Sequence, residues 1–152
     1  MANKIYLGAD HQGFALKNKI FAYLSKRGYD VEDVSEKEFN ANDDFPQFAQ
    51  AAALRLIDEE NDTDRAILVC GGGQGMAIAA NRFRGVRAII ATTPEDARYG
   101  RNDNDANALS LPARILINDD DKYWQDIVDT FLETPFAGAA RYVRRNRELD
   151  EL

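Results

Sequence analysis

The chain has 152 residues, close to the commonest size of one globular domain and long enough to bury one sizeable core. Its formal net charge of −7 disfavours nucleic acid as a partner, since that backbone is held by clustered Lys and Arg. One cysteine, Cys70, and one histidine, His11, exclude an intrachain disulfide and leave no Cys/His zinc site.

No apolar run approaches the roughly 20 residues that span a bilayer, and Met-Ala-Asn-Lys-Ile-Tyr-Leu-Gly lacks the pattern of a secretory signal. A cytoplasmic, single-domain protein without membrane contact is expected. Lys4 to Gly8 reads as a strand, followed by a helix with Leu16, Ile20, Tyr23 and Leu24 on one face and stopped by Gly28. Tyr29 to Val34 reads as the next strand. Asp43, Asp44 and Pro46 mark a helix start, with Phe48, Ala52 and Leu56 recurring on its buried face. Ala66 to Cys70 is continuously apolar, as a strand covered on both faces should be, and leads into Gly71-Gly72-Gly73-Gln74-Gly75 and a helix over Met76 to Asn81.

Val86 to Ala91 gives a fourth strand, and Thr93-Pro94-Glu95-Asp96 opens a helix with an N-cap, a proline and acids at its positive end. Asn107 to Leu111 and Arg114 to Ile117 are short, and one of them completes the sheet. Asp119 to Asp121 cap a helix with Trp124, Ile127, Val128 and Phe131 facing inward, and a last helix carries arginines. Strands alternating with helices at this spacing predict a three-layer, Rossmann-like α/β fold with a five-stranded parallel sheet and helices on both faces. Ligands of such sheets sit beyond the carboxyl ends of the strands, where the strand order switches. The loops to examine are Gly8 to Gly13, Cys70 to Gly75 and the stretch after Ala91.

Several glycines at a strand-to-helix turn let backbone N–H groups approach an anion, although the same residues also make a plain tight turn. The segment is neither a Walker loop nor the dinucleotide fingerprint. A lone cysteine is usually a core residue. At the mouth of this loop, however, the surroundings favour the thiolate and suit a base or nucleophile. His11, beside Asp10 on the loop after the first strand, is a substrate-contact candidate or a surface residue. Arg141 and Arg145 share a helix face and could grip one phosphate, or form a solvated basic surface.

Taken in order, Gly8-Ala-Asp-His-Gln-Gly13, Asp44-Phe-Pro46, Cys70-Gly-Gly-Gly-Gln-Gly-Met-Ala-Ile-Ala-Ala-Asn81, Gly85-Val-Arg-Ala88, Asn104-Asp-Ala-Asn107 and Arg141-Tyr-Val-Arg-Arg145 cover nearly the whole chain. This ordered set resembles the ribose-5-phosphate isomerase B family, which includes the two-subunit galactose-6-phosphate isomerases. The resemblance implies aldose–ketose isomerisation of a phosphorylated sugar without metal or organic cofactor, in a homodimer with shared sites. Cys70 then matches the base that moves a proton across an enediolate, and the amides of Gly71, Gly72, Gly73 and Gly75 match its anion hole. Asp10 matches a hydroxyl-binding residue and Asn104 a substrate-binding one. His11, Arg141 and Arg145 match the phosphate grip, the arginines coming from the neighbouring subunit.

Three positions depart from the family pattern. Asp103 stands where a ring-opening histidine is usual, Phe45 where a tyrosine is common, and Tyr142 where a second histidine is common. Three explanations of Asp103 stay open: an open-chain substrate such as a tetrose 4-phosphate, Asp103 as the catalytic acid/base for ring opening, or a paralogous partner that supplies the histidine. A non-catalytic sugar-phosphate binding protein is the reading from another class, and pairing of dimers into a tetramer is also open.

Overall fold

A computed structural model describes residues 2, 4–58 and 61–152. The first half of the chain forms β1 (Lys4–Ala9), α1 (Phe14–Lys26), β2 (Asp30–Asp33), α2 (Phe45–Asp58), β3 (Arg65–Cys70) and α3 (Gln74–Ala80). The second half forms β4 (Ala88–Ile90), α4 (Pro94–Asn104), β5 (Ala108–Pro112), α5 (Ala113–Leu116), α6 (Asp121–Glu133) and α7 (Ala140–Asp150). All strands run parallel in one sheet of order β2-β1-β3-β5-β4, with helices on both faces, which is the expected α/β architecture.

Side chains alternate across a strand, and both faces of this sheet are covered, so its central strands read as unbroken apolar runs. Ile5 and Leu7 of β1 and Ile67 and Val69 of β3 join Leu16, Ile20, Leu24, Leu116, Trp124, Ile127 and Phe131 in one buried cluster. Tyr6, Ala66, Leu68 and Cys70 point the other way and pack with Phe48, Ala52, Leu56, Met76 and Ala80 of α2 and α3. Cys70 thus ends its strand on the α2/α3 side.

One element differs from expectation, and one open choice is settled. The strand expected over Val86 to Ala91 is reduced to Ala88–Ile90, because the Val86 N–H turns back to the Phe83 carbonyl and the Arg87 N–H bonds the Asn107 side chain. Of the two short candidates, Asn107 to Leu111 supplies β5, whereas Arg114 to Ile117 lies in and just after α5. Pro112, without an N–H, closes the strand and lets the chain turn.

Several polar groups are committed to the scaffold. Lys17, with no exposed surface, is ion-paired to Asp33 at 2.9 Å and donates to Ser35 Oγ and the Glu36 carbonyl, so its buried charge is matched. Thr93 and Asp96 form a reciprocal cap on α4. The Asn81 side chain bonds both the N–H (2.7 Å) and the carbonyl (2.9 Å) of Ala88 on the outer edge of β4. α7 leans chiefly on α4 and buries only Asn146; its end is tied to Arg87 through Asp150 at 2.8 Å. Among the described residues, no helix is long and apolar enough to cross a membrane.

Candidate functional site

From β1 the chain moves outward to β2, then returns past β1 to build β3, β5 and β4 on the other side. The carboxyl ends of β1 and β3 therefore flank the switch in strand order, where a crevice is expected. The loop after β1 closes tightly on β3. The Asp10 N–H donates to the Val69 carbonyl, and the Gly13 N–H donates to both the Asp10 carbonyl and Asp10 Oδ1. A Cβ on Gly13 would come within 2.2 Å of the Val69 carbonyl oxygen, so only glycine permits this approach. Asp10 is buried and keeps its second carboxylate oxygen free of protein bonds among the described residues.

Across this junction the Cys70 thiol, also buried, accepts the Gly73 N–H at 3.2 Å. Gly73 turns the chain with φ +78°, a left-handed conformation that side chains resist, and Ser110 Oγ of β5 donates to its carbonyl at 2.6 Å. The Gly71 carbonyl accepts the Arg114 N–H. Among the described residues, the N–H groups of Gly71 and Gly72 have no partner, so they remain available to an anion beside the sulfur. The Phe45 ring lies against Gly75, where a Cβ would come within 2.8 Å of it.

Two further side chains reach this loop. Arg114 Nη2 donates to Gln12 Oε1 at 2.9 Å, and both groups hang over Gly71. Gln12 lay inside a loop singled out from sequence. Arg114 gave no signal, being one basic residue in a segment readable as a strand.

His11 is anchored by a residue that sequence reading took only for a helix-start acid. Asp43 Oδ1 accepts the His11 N–H at 2.8 Å and lies 2.8 Å from His11 Nδ1. The bond to Asp43, helped by the charges of Asp10 and Asp43, raises the imidazole pKa above its ordinary value against a smaller opposing effect of burial.

Asp103, Asn104, Arg141 and Arg145 do not join this group within one chain. α4 runs back across the sheet, so its last turn lies at the amino end, where Arg87 Nε donates to the Asn104 carbonyl and the Ala66 N–H donates to the Asn107 carbonyl. The length of β3, roughly 16 Å at about 3.3 Å per residue, separates this level from Cys70. Asp103 is half-buried and accepts the Asn102 side-chain amide at 2.7 Å. Arg141 and Arg145 are exposed on α7, and Arg141 lies over the neighbouring Tyr142 ring. The stretch after Ala91 follows the edge strand β4, which β5 separates from β3, and so lies away from the switch point. Among the described residues, no group of three or more His, Cys, Asp or Glu could hold a metal ion.

The sequence pattern described as Ribose/Galactose Isomerase matches residues 5–149. Ribose-5-phosphate isomerase B of Escherichia coli is 37% identical over 141 residues, covering 93% of this chain and 91% of that protein. A probable ribose-5-phosphate isomerase B of Mycoplasma genitalium is 34% identical over 152 residues, covering 100% and 95%. A crystal structure of a ribose 5-phosphate isomerase from Thermotoga maritima superposes with a TM-score of 0.90 at 41% identity, covering both chains fully. The Mycoplasma genitalium enzyme, solved with bound ribulose-5-phosphate, gives a TM-score of 0.88 at 34% identity, covering 97% of this chain and 94% of that one.

Proposed function

The chain belongs to the ribose/galactose isomerase family, and from that premise we propose that it interconverts an aldose phosphate and a ketose phosphate, with ribose 5-phosphate and ribulose 5-phosphate as the reference pair. The observation that carries the reading is the buried Cys70 sulfur, held by the Gly73 amide beside the unpaired amides of Gly71 and Gly72 at the sheet's switch point. Cys70, as thiolate, takes the proton from C2 of the aldose, and the released electron pair forms the C1–C2 double bond of an enediolate. The amides receive the developing charge on oxygen. The proton returns to C1 while the hydroxyl proton moves from O2 to O1, giving the ketose.

Asp10 accepts from a sugar hydroxyl through its free oxygen. Arg114, held over Gly71 by Gln12, adds positive charge at the same mouth. His11 takes the phosphate, together with Arg141 and Arg145 of a second copy, and that copy's Asn104 and Asp103 approach the sugar. Support for two copies comes from the separation of the two groups by a strand's length, which a two-fold dimer would bridge by exchanging ends. Asp103 serves ring opening through the oxygen not engaged by Asn102. No step of this scheme calls on a metal or organic cofactor.

The test is incubation with aldose and ketose phosphates of four to six carbons in heavy water, with deuterium uptake followed by proton NMR and Cys70→Ala run in parallel. Uptake that needs Cys70 is the expected result. Consumption of cyclic pentose phosphates, slowed selectively by Asp103→Ala, supports the ring-opening role, whereas activity confined to open-chain tetrose phosphates removes it. No uptake from any sugar defeats the self-sufficient enzyme and leaves a subunit of a heteromeric isomerase or a binding protein.

A further inference from the structure

Resting on that reading, we propose that Asp43 is a positioning residue for His11, fixing Nδ1 as a donor and presenting Nε2–H as a charged donor to the substrate phosphate. Asp43 Oδ1 meets both the main-chain N–H and Nδ1 of His11, each at 2.8 Å, so backbone and ring are set by one carboxylate. The Asp43 side chain is 6% exposed and His11 29%, which keeps the carboxylate inside and the ring at the mouth. With Nδ1 occupied, Nε2 is the remaining polar atom of the ring, and it has no protein partner among the described residues.

The charged groups bearing on the ring are Asp10, from its own loop, and Asp43, from the loop before α2. In the shared site, Arg141 and Arg145 of a second copy oppose a proton on His11, because like charges that converge on one phosphate repel. The two carboxylates oppose that repulsion and favour the charged imidazole. A neutral imidazole with Nδ1 unheld could present Nε2 as an acceptor, which repels phosphate oxygen.

His11 is the only histidine of the chain, so its ring resonance can be titrated without assignment. The experiment follows that proton NMR signal against pH in the intact protein and in Asp43→Asn, which keeps an acceptor oxygen but removes the charge. Inorganic phosphate is then titrated into both at pH 7.5 and pH 5.5. The parent midpoint should lie above the ordinary histidine value and fall toward it in Asp43→Asn. Phosphate binding should weaken roughly fivefold to tenfold at pH 7.5 and less than about twofold at pH 5.5, where the ring is protonated in both proteins.

A parent midpoint at or below the ordinary value overturns the proposal without any variant. Equal midpoints in the two proteins, or a binding loss of the same size at both pH values, overturns it as well. Neither readout needs turnover. Failure here leaves Cys70-dependent deuterium uptake untouched, and absence of uptake leaves this titration readable.

Discussion

The two ends of the sheet are built in opposite ways. At the carboxyl end, the Gly13 N–H donates to Asp10 and the Gly73 N–H to the Cys70 sulfur, the Asp10 N–H ties its loop to Val69, and Ser110 and Arg114 brace the glycine loop from neighbouring elements. At the amino end, Arg141 and Arg145 project from a helix that buries one residue and is tied down through the Arg87–Asp150 ion pair. Groups that must meet a reacting carbon within tenths of an ångström belong on the first kind of support. Groups that gather a charged phosphate can belong to the second.

This contrast can be broken from either end. Replacing Cys70 by alanine should lower isotope exchange by roughly 10²- to 10⁴-fold, the usual weight of a positioned base, with the fold retained by circular dichroism. Replacing Arg145 by alanine should raise KM roughly tenfold to a hundredfold with little change in kcat, as loss of a charge-assisted bond to phosphate does. Mixing these two inactive or weakened variants sharpens the comparison. If sites are shared across a two-fold axis, random re-pairing restores about a quarter of the parent sites, whereas sites confined to one chain give no recovery.

Smaller effects follow for the supports. Gly73→Ala puts a Cβ on a residue with φ +78° and 3.3 Å from the Leu111 and Pro112 backbone. It should cost about 1–2 kcal/mol of stability, read as a lower Tm, and should reduce exchange by moving the amide off Cys70. Asp150→Ala removes a partly exposed ion pair and should change stability by about 0.2–1 kcal/mol. Its mark should be a modest rise in KM as α7 loosens.

His11 adds a pH term with a definite sign. Its pKa is raised by Asp43 in the folded chain, so the pair stabilises the fold fully below the ordinary histidine value, and that contribution is lost as pH rises through the raised one.

The scaffold was legible because its signals are periodic. Phe48, Ala52 and Leu56 mark a helix face, and the run from Ala66 to Cys70 marks a strand covered on both sides. The runs before and after Pro112 are too short for period to separate strand from helix, and only one of them pairs. Cys70, its glycines and His11 were visible as a pattern within a few residues. Asp43 and Arg114 were not, because their meaning lies in partners 32 and 102 residues away. Asp103 and Arg141 could be named from sequence, yet their place at the far end of the sheet depends on α4 running back across it.

The clasp of Asn81 on Ala88 has a consequence for how copies of the chain can meet. An outer strand offers unpaired N–H and carbonyl groups on which another chain can template. Here one amide occupies both groups of Ala88 and thereby mimics a neighbouring strand. At the other margin, Glu32 of β2 is ion-paired with Lys4 and Arg55 and Asp33 with Lys17, so this outer strand carries charged side chains and leaves Asp30 exposed. A clasped amide at one margin and charged side chains at the other are two devices by which an outer strand discourages pairing with another chain.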